Sequence, residues 1–181
     1  MTPLGHLQYN NKIFPLEQAT FYGIYEPRGY MSWWIELIPQ DDSNYIMLNS
    51  LIFPNIFLPH QLSFLDTPDI RDKYEHTVQV NGEDRFFDSS NLTFRRWDTP
   101  TQSIQLTGHG IISGEKKEGL PEVHYEINVN LKFKGIYLFE TTKEDTQKFI
   151  DAHLKDELDI LFEVQFENVP SGLQAVIAGQ F

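Results

Sequence analysis

The sequence predicts a mostly β protein: an antiparallel β-sandwich or a curved, barrel-like sheet with one helix near residues 142–155. Three observations lead there. Apolar and polar residues alternate with period two along several stretches, the pattern of strands that bury one face. Turn residues punctuate those stretches at short intervals. A single segment, 141–155, carries helical periodicity together with a cap. The alternative is an α+β fold with additional helix in the 45–72 region.

Taken in chain order, "ATFYGIYE" (19–26) and "MSWWIELI" (31–38) alternate on either side of the turn "PRGY" and predict an early hairpin. The apolar run 45–65 is interrupted by Asn49, Pro54, Asn55, Pro59 and His60. It is too broken for a bilayer span, which needs roughly 20 mostly apolar residues, and reads as short strands and loops. Asn81-Gly82 is a tight-turn pair that signals a second hairpin, because a type I′ turn needs two positive φ values. "LTFRRWD" (92–98) reads as a short strand, with Pro68, Asp69, Ser89 and Ser90 marking loops before it.

"TGHGIISG" (107–114) looks at first like a glycine-rich phosphate loop. Such a loop needs a following helix whose amides converge on the anion. Here a long strand follows instead: in "VHYEINVNLKFKGIYLF" (123–139), Val123, Tyr125, Ile127, Val129, Leu131 and Phe133 share one face. Pairing the two segments sets Gly108 and Gly110 on the apolar face beside Tyr125 or Ile127, so the stretch reads as a glycine-bent strand. After Gly135 the alternation changes phase, which predicts cover on both sides of the far end.

The helix opens at Thr141 or Thr142, with Glu144 or Asp145 three residues on as a capping box. Its apolar stripe is Thr146, Phe149, Ile150, His153 and Leu154. "LDILFEVQFE" (158–167) then alternates with Leu158, Ile160, Phe162, Val164 and Phe166 inward, and "NVPSG" turns it into a last strand, "LQAVIAGQF".

Composition bounds the function. The 181 residues suit one domain, 1–181, and 40% hydrophobic with 14% aromatic residues is ample for a core. Fourteen basic against 26 acidic side chains give a formal charge of −12, which opposes binding to nucleic acid or anionic membranes and favours a basic protein partner. The chain has no cysteine, so disulfides, thiolate metal sites and cysteine nucleophiles are excluded. "MTPLGHLQYN" lacks the basic and apolar regions of a signal peptide, which predicts a cytoplasmic protein; the alternative is a periplasmic one whose leader has been removed.

Candidate sites follow from residue types. No metal-ligand spacing appears among the six histidines, and neither a metal nor another cofactor is expected. His109 and His124 fall on the polar face of the long hairpin near Glu126, a weak candidate set for a base oriented by a carboxylate. Trp33 and Trp34 point to opposite sides of one strand and, with Tyr45, are candidate ligand contacts. Asp159, Glu163 and Glu167 repeat every fourth residue along the outward face of a strand, a candidate docking row for a basic partner. The sequence thus predicts an acidic, soluble binding protein that neutralises or escorts a basic protein, in the manner of a bacterial immunity protein acting as inhibitor. The alternatives are a small-molecule or lipid-binding sandwich or barrel, and a His/Glu-dependent hydrolase or isomerase.

Overall fold

The computed structural model describes residues 5–9, 12–25, 29, 31–40, 46–52, 58–63, 65–67, 77–80, 83–113, 123–155 and 162–179. Among the described residues, eleven strands form one curled sheet: β1 (Gly5–Tyr9), β2 (Lys12–Tyr25), β3 (Met31–Pro39), β4 (Ile46–Ile52), β5 (Leu65–Thr67), β6 (Thr77–Val80), β7 (Glu83–Asp98), β8 (Ser103–Ser113), β9 (Val123–Leu138), β10 (Phe162–Val169) and β11 (Gly172–Gly179). Among the same residues one α-helix, α1 (Lys143–His153), lies between β9 and β10. Within 45–72 the described residues hold strands and a four-residue 3₁₀ turn, Pro59–Leu62, and no α-helix.

Pairing runs β2-β3-β4-β6-β7-β8-β9, and the upper half of β9 then pairs with β2 in parallel, so the path returns to its start. That return makes the sheet barrel-like and leaves those strands without an open edge along the paired stretches. The β2–β3 hairpin forms as its alternation predicts, Tyr25 opposite Met31. Asn81 and Gly82 lie outside the described residues, but their flanks pair with Val80 opposite Glu83.

Two expectations need correction. Ser89 and Ser90 do not sit in a loop: β7 runs unbroken from Glu83 to Asp98 and takes register shifts between Phe87 and Ser89 and between Arg95 and Trp97. Extra residues in a bulge bend a strand without ending it, which a turn-propensity reading takes for a break. Arg96, at the second shift, has φ 55°.

The second correction concerns β9. Phe21 faces Phe133, yet Tyr22 faces Gly135, so Lys134 is the extra residue of a bulge. The bulge resets the alternation: Ile136 and Leu138 stand opposite Gly23 and Tyr25 on the same inner face as Phe133. The change of phase is therefore a one-residue slip, and the outer face there holds the half-buried Tyr137.

The inner face forms one core. Phe133 lies at its centre, its ring 5.3 Å from Phe21, 6.3 Å from Trp33 and 6.1 Å from Trp97. Ile35, Leu37, Leu92, Phe94, Ile104 and Leu106 from the other strands share that core with Ile127 and Leu131 of β9 itself. Each such side chain stabilises the fold by about 1.5–3 kcal/mol on burial. Gly108 faces Ile127 and Gly110 faces Tyr125, the register expected of a glycine-bent strand. A Cβ on Gly108 would stand 2.6 Å from Leu92 Cδ2 and 2.7 Å from the Asn91 carbonyl, so the position has room for hydrogen only.

Helix α1 starts as its capping signal predicts. The Thr142 hydroxyl accepts from the Asp145 amide at 3.0 Å and donates to its carboxylate at 2.8 Å. The helix then sets Phe149 against Tyr25 at 4.7 Å, and Thr146, Phe149 and Leu154 are buried. The amide of Thr141, just ahead of the cap, bonds to the Leu173 carbonyl of β11 at 3.0 Å.

Gly135 has φ 137°, and a Cβ there would stand 2.8 Å from the Ile177 carbonyl. Gly135→Ala is expected to destabilise the fold by about 1–3 kcal/mol in urea unfolding. Thr142→Ala removes the cap acceptor and is expected to cost about 0.5–2 kcal/mol in the same measurement.

Candidate functional site

Strand β10 is the outer strand of the sheet and pairs, among the described strands, with β11 alone. Glu163, Gln165 and Glu167 stand opposite Ala178, Val176 and Gln174, and all three are exposed on one face. Glu163 and Glu167 are four residues apart, roughly 13 Å along an extended strand. Val164 and Phe166 take the other face, Val164 packing against the core and Phe166 remaining 38% exposed under Lys143, whose Nζ lies 5.5 Å from its ring. The alternation read for 158–167 thus holds from Glu163 to Glu167, but Phe166 is at the rim and not inside. Asp159 lies outside the described residues. Charge along an outer strand also has a structural effect, since it opposes edge-to-edge pairing with another sheet.

The acidic face continues inward across β11 to β9, where Val176 stands opposite Tyr137. There it meets a band of rings. Tyr137 lies 5.2 Å from Tyr22 at 69°, Tyr22 lies 6.2 Å from Trp34 at 11°, and Tyr137 lies 6.4 Å from Phe139 at 18°. Trp34, Tyr22 and Tyr137 are half-buried and Phe139 is 40% exposed. Beside this band Glu36 ties three strands together: its carboxylate accepts from Gln18 at 2.8 Å, from Thr20 at 3.1 Å and from Lys134 at 2.7 Å.

The structure places the two tryptophans apart. Trp33 is 1% exposed in the core against Phe21, whereas Trp34 belongs to the outer band. Tyr45 lies outside the described residues. Sequence reasoning missed Tyr22, Tyr137 and Phe139. Tyr22 carried a usable signal, an aromatic ring at the outward phase of an alternating strand. Tyr137 did not, because the bulge at Lys134 conceals its phase.

His109, His124 and Glu126 share the outer face of β8 and the first half of β9. His109 stands directly opposite Glu126 and His124 opposite Ile111, and all three polar side chains are exposed. His109 and Glu126 line a depression of about 510 Å³ with Asn91, Thr93, Arg95, Thr107 and Asn128; His124 is not in its lining. No hydrogen bond or ion pair links the His109 ring to Glu126 among the described residues. The depression offers polar binding groups from three strands. His153 packs on Phe149 at 5.0 Å.

Burial lifts the phenol of Tyr22 above its ordinary value of 10.0, helped by the charges of Glu36 and Tyr137. Burial likewise raises Tyr137; Lys134 opposes that rise, and Glu167 and Glu36 add to it. Folding therefore favours the neutral phenols. The stability they contribute is complete below pH 10.0 and is lost as pH rises through their raised values. Glu167→Gln removes one of the charges that raise Tyr137, so an ultraviolet titration is expected to show Tyr137 ionising at lower pH than in the unmodified chain.

Comparison with protein-family models, curated proteins and solved structures finds no match, and no α-helix among the described residues is long and apolar enough to cross a membrane.

Proposed function

We propose that the chain is an acidic binding protein that docks a basic protein partner through the outward face of β10 and so neutralises or escorts it, as an immunity-type inhibitor does. The observation that carries the reading is the exposed row Glu163, Gln165 and Glu167 on the outer strand of a protein with formal charge −12. Among the described residues no cation is paired with either glutamate. Lys143, which does approach β10, sits over Phe166 on the opposite face. Carboxylates so spaced suit separate Lys or Arg contacts, whereas a metal ion needs its ligands within about 2.0–2.6 Å of itself.

This reading has more support than an enclosed ligand site, because Trp33, Phe21 and Phe133 fill the middle of the ring with one another. It also has more support than His/Glu chemistry, whose residues stand exposed without mutual hydrogen bonds.

Complementary charge mainly accelerates encounter and is screened by salt. Affinity capture on the immobilised chain is expected to retain a protein of high isoelectric point, with an association rate that falls steeply with ionic strength. Replacing Asp159, Glu163 and Glu167 together by Asn, Gln and Gln is expected to leave the fold intact and to slow association at least several-fold at low salt. A captured partner that binds this variant at the unmodified rate would overturn the reading.

A further inference from the structure

The aromatic band and the acidic row lie on one continuous outer surface. Cross-strand partners share a face, and the pairings Gln165 to Val176 and Val176 to Tyr137 carry that face from β10 to β9 without interruption. Ile24 faces Tyr137 and Tyr22 faces Trp34, which extends it across β2 to β3. The influence of Glu167 on the Tyr137 phenol is the electrostatic trace of the same proximity.

The rings are arranged as two near-parallel pairs meeting at a corner. Trp34 lies 11° from the plane of Tyr22, Tyr137 lies 18° from Phe139, and Tyr22 meets Tyr137 at 69°. A packed hydrophobic cluster needs no carboxylates beside it, yet this band is bordered by Glu167 on one side and by Glu36 on the other. The cation within the border, Lys134, is held by Glu36 at 2.7 Å. Aromatic faces under a negative potential attract cations, and the guanidinium is favoured over the ammonium because it is planar, stacks on rings and is more weakly hydrated. Both phenols stay neutral at physiological pH, so the rings keep their hydroxyl donors beside the faces.

We propose that Tyr22 and Tyr137, flanked by Trp34 and Phe139, form an arginine-binding notch within the docking face: a guanidinium of the basic partner stacks on these rings while Glu163 and Glu167 take its neighbouring positive charges. The proposal rests on the reading of β10 as an acidic docking row and adds that the partner presents arginine there. It assigns affinity from charge to β10 and discrimination between arginine and lysine to the rings.

The test uses two capped peptides of equal charge, hexa-arginine and hexa-lysine, titrated into the full chain and followed by calorimetry and by the ring resonances of Tyr22 and Tyr137. Hexa-arginine is expected to bind about two- to fivefold more tightly than hexa-lysine and to shift both tyrosine signals. Tyr137→Phe keeps the ring and is expected to keep the preference; Tyr137→Leu is expected to bring the two peptides to parity. Glu163→Gln with Glu167→Gln is expected to weaken both peptides alike and leave their ratio unchanged. If the glutamate variant weakens both peptides but the unmodified chain shows no arginine preference, or Tyr137→Leu retains one, the notch is overturned and the acidic row stands. If the preference depends on Tyr137 while the glutamate variant binds both peptides at full strength, the acidic row is overturned and the notch stands. Should Tyr137→Leu fail to fold, tyrosine resonances of the unmodified chain that do not move with hexa-arginine overturn the notch by themselves.

Discussion

The pairing of β9 along both of its edges is the constraint on which the rest of the structure depends. Its first half bonds to β8 on one side and to β1 on the other; its second half bonds to β2 and to β11. A strand of 16 residues thereby joins the ring to the β10–β11 wing. One edge of β9 passes from β1 to β2 between Val129 and Lys132, the other passes from β8 to β11 between Lys132 and Ile136, and the β2 pairing takes its bulge between Phe133 and Gly135. Gly135 fits there since the Ile177 carbonyl passes too close for a side chain.

The surface proposed for docking follows from the same junction. Because β9 hands one edge to β11, the wing carrying Glu163 and Glu167 is set beside β2 and β3 and shares their outer surface. Without the bulge, Tyr137 would fall in the inner phase and the band from Trp34 to Phe139 would be broken. The Glu36 contacts with Gln18, Thr20 and Lys134 fasten this surface across three strands. The acidic face and the ring band are therefore parts of one sheet surface, continuous through Val176 and Tyr137.

Much of this was legible in the residues. Thr142 and Asp145 announced the helix start because capping chemistry is local, and the β8–β9 register followed from matching two alternating patterns about one loop. The bulges in β7 and β9 were not legible, since a one-residue slip depends on what lies across the strand. Ser89 and Ser90 read as a break for that reason, and Gly135 as a change of environment. The site shows the same division. Glu163, Glu167 and Trp34 could be found from alternation, whereas the link between Tyr22 and Tyr137 requires β2 and β9 to be neighbours, and nothing local to either segment encodes a pairing more than 100 residues apart.

That distant pairing has a consequence for how the chain is made. Thr20 through Tyr25 must wait for Lys132 through Leu138 before the ring can close. On a ribosome, β2 and β3 emerge long before the strand that completes the ring, with Phe21 facing no partner from β9 in the interval. Contacts of such high sequence separation slow folding and lengthen the exposure of apolar strand surface. Ring closure waits for β9, and until it emerges the nascent β2–β3 hairpin leaves apolar surface open to a chaperone.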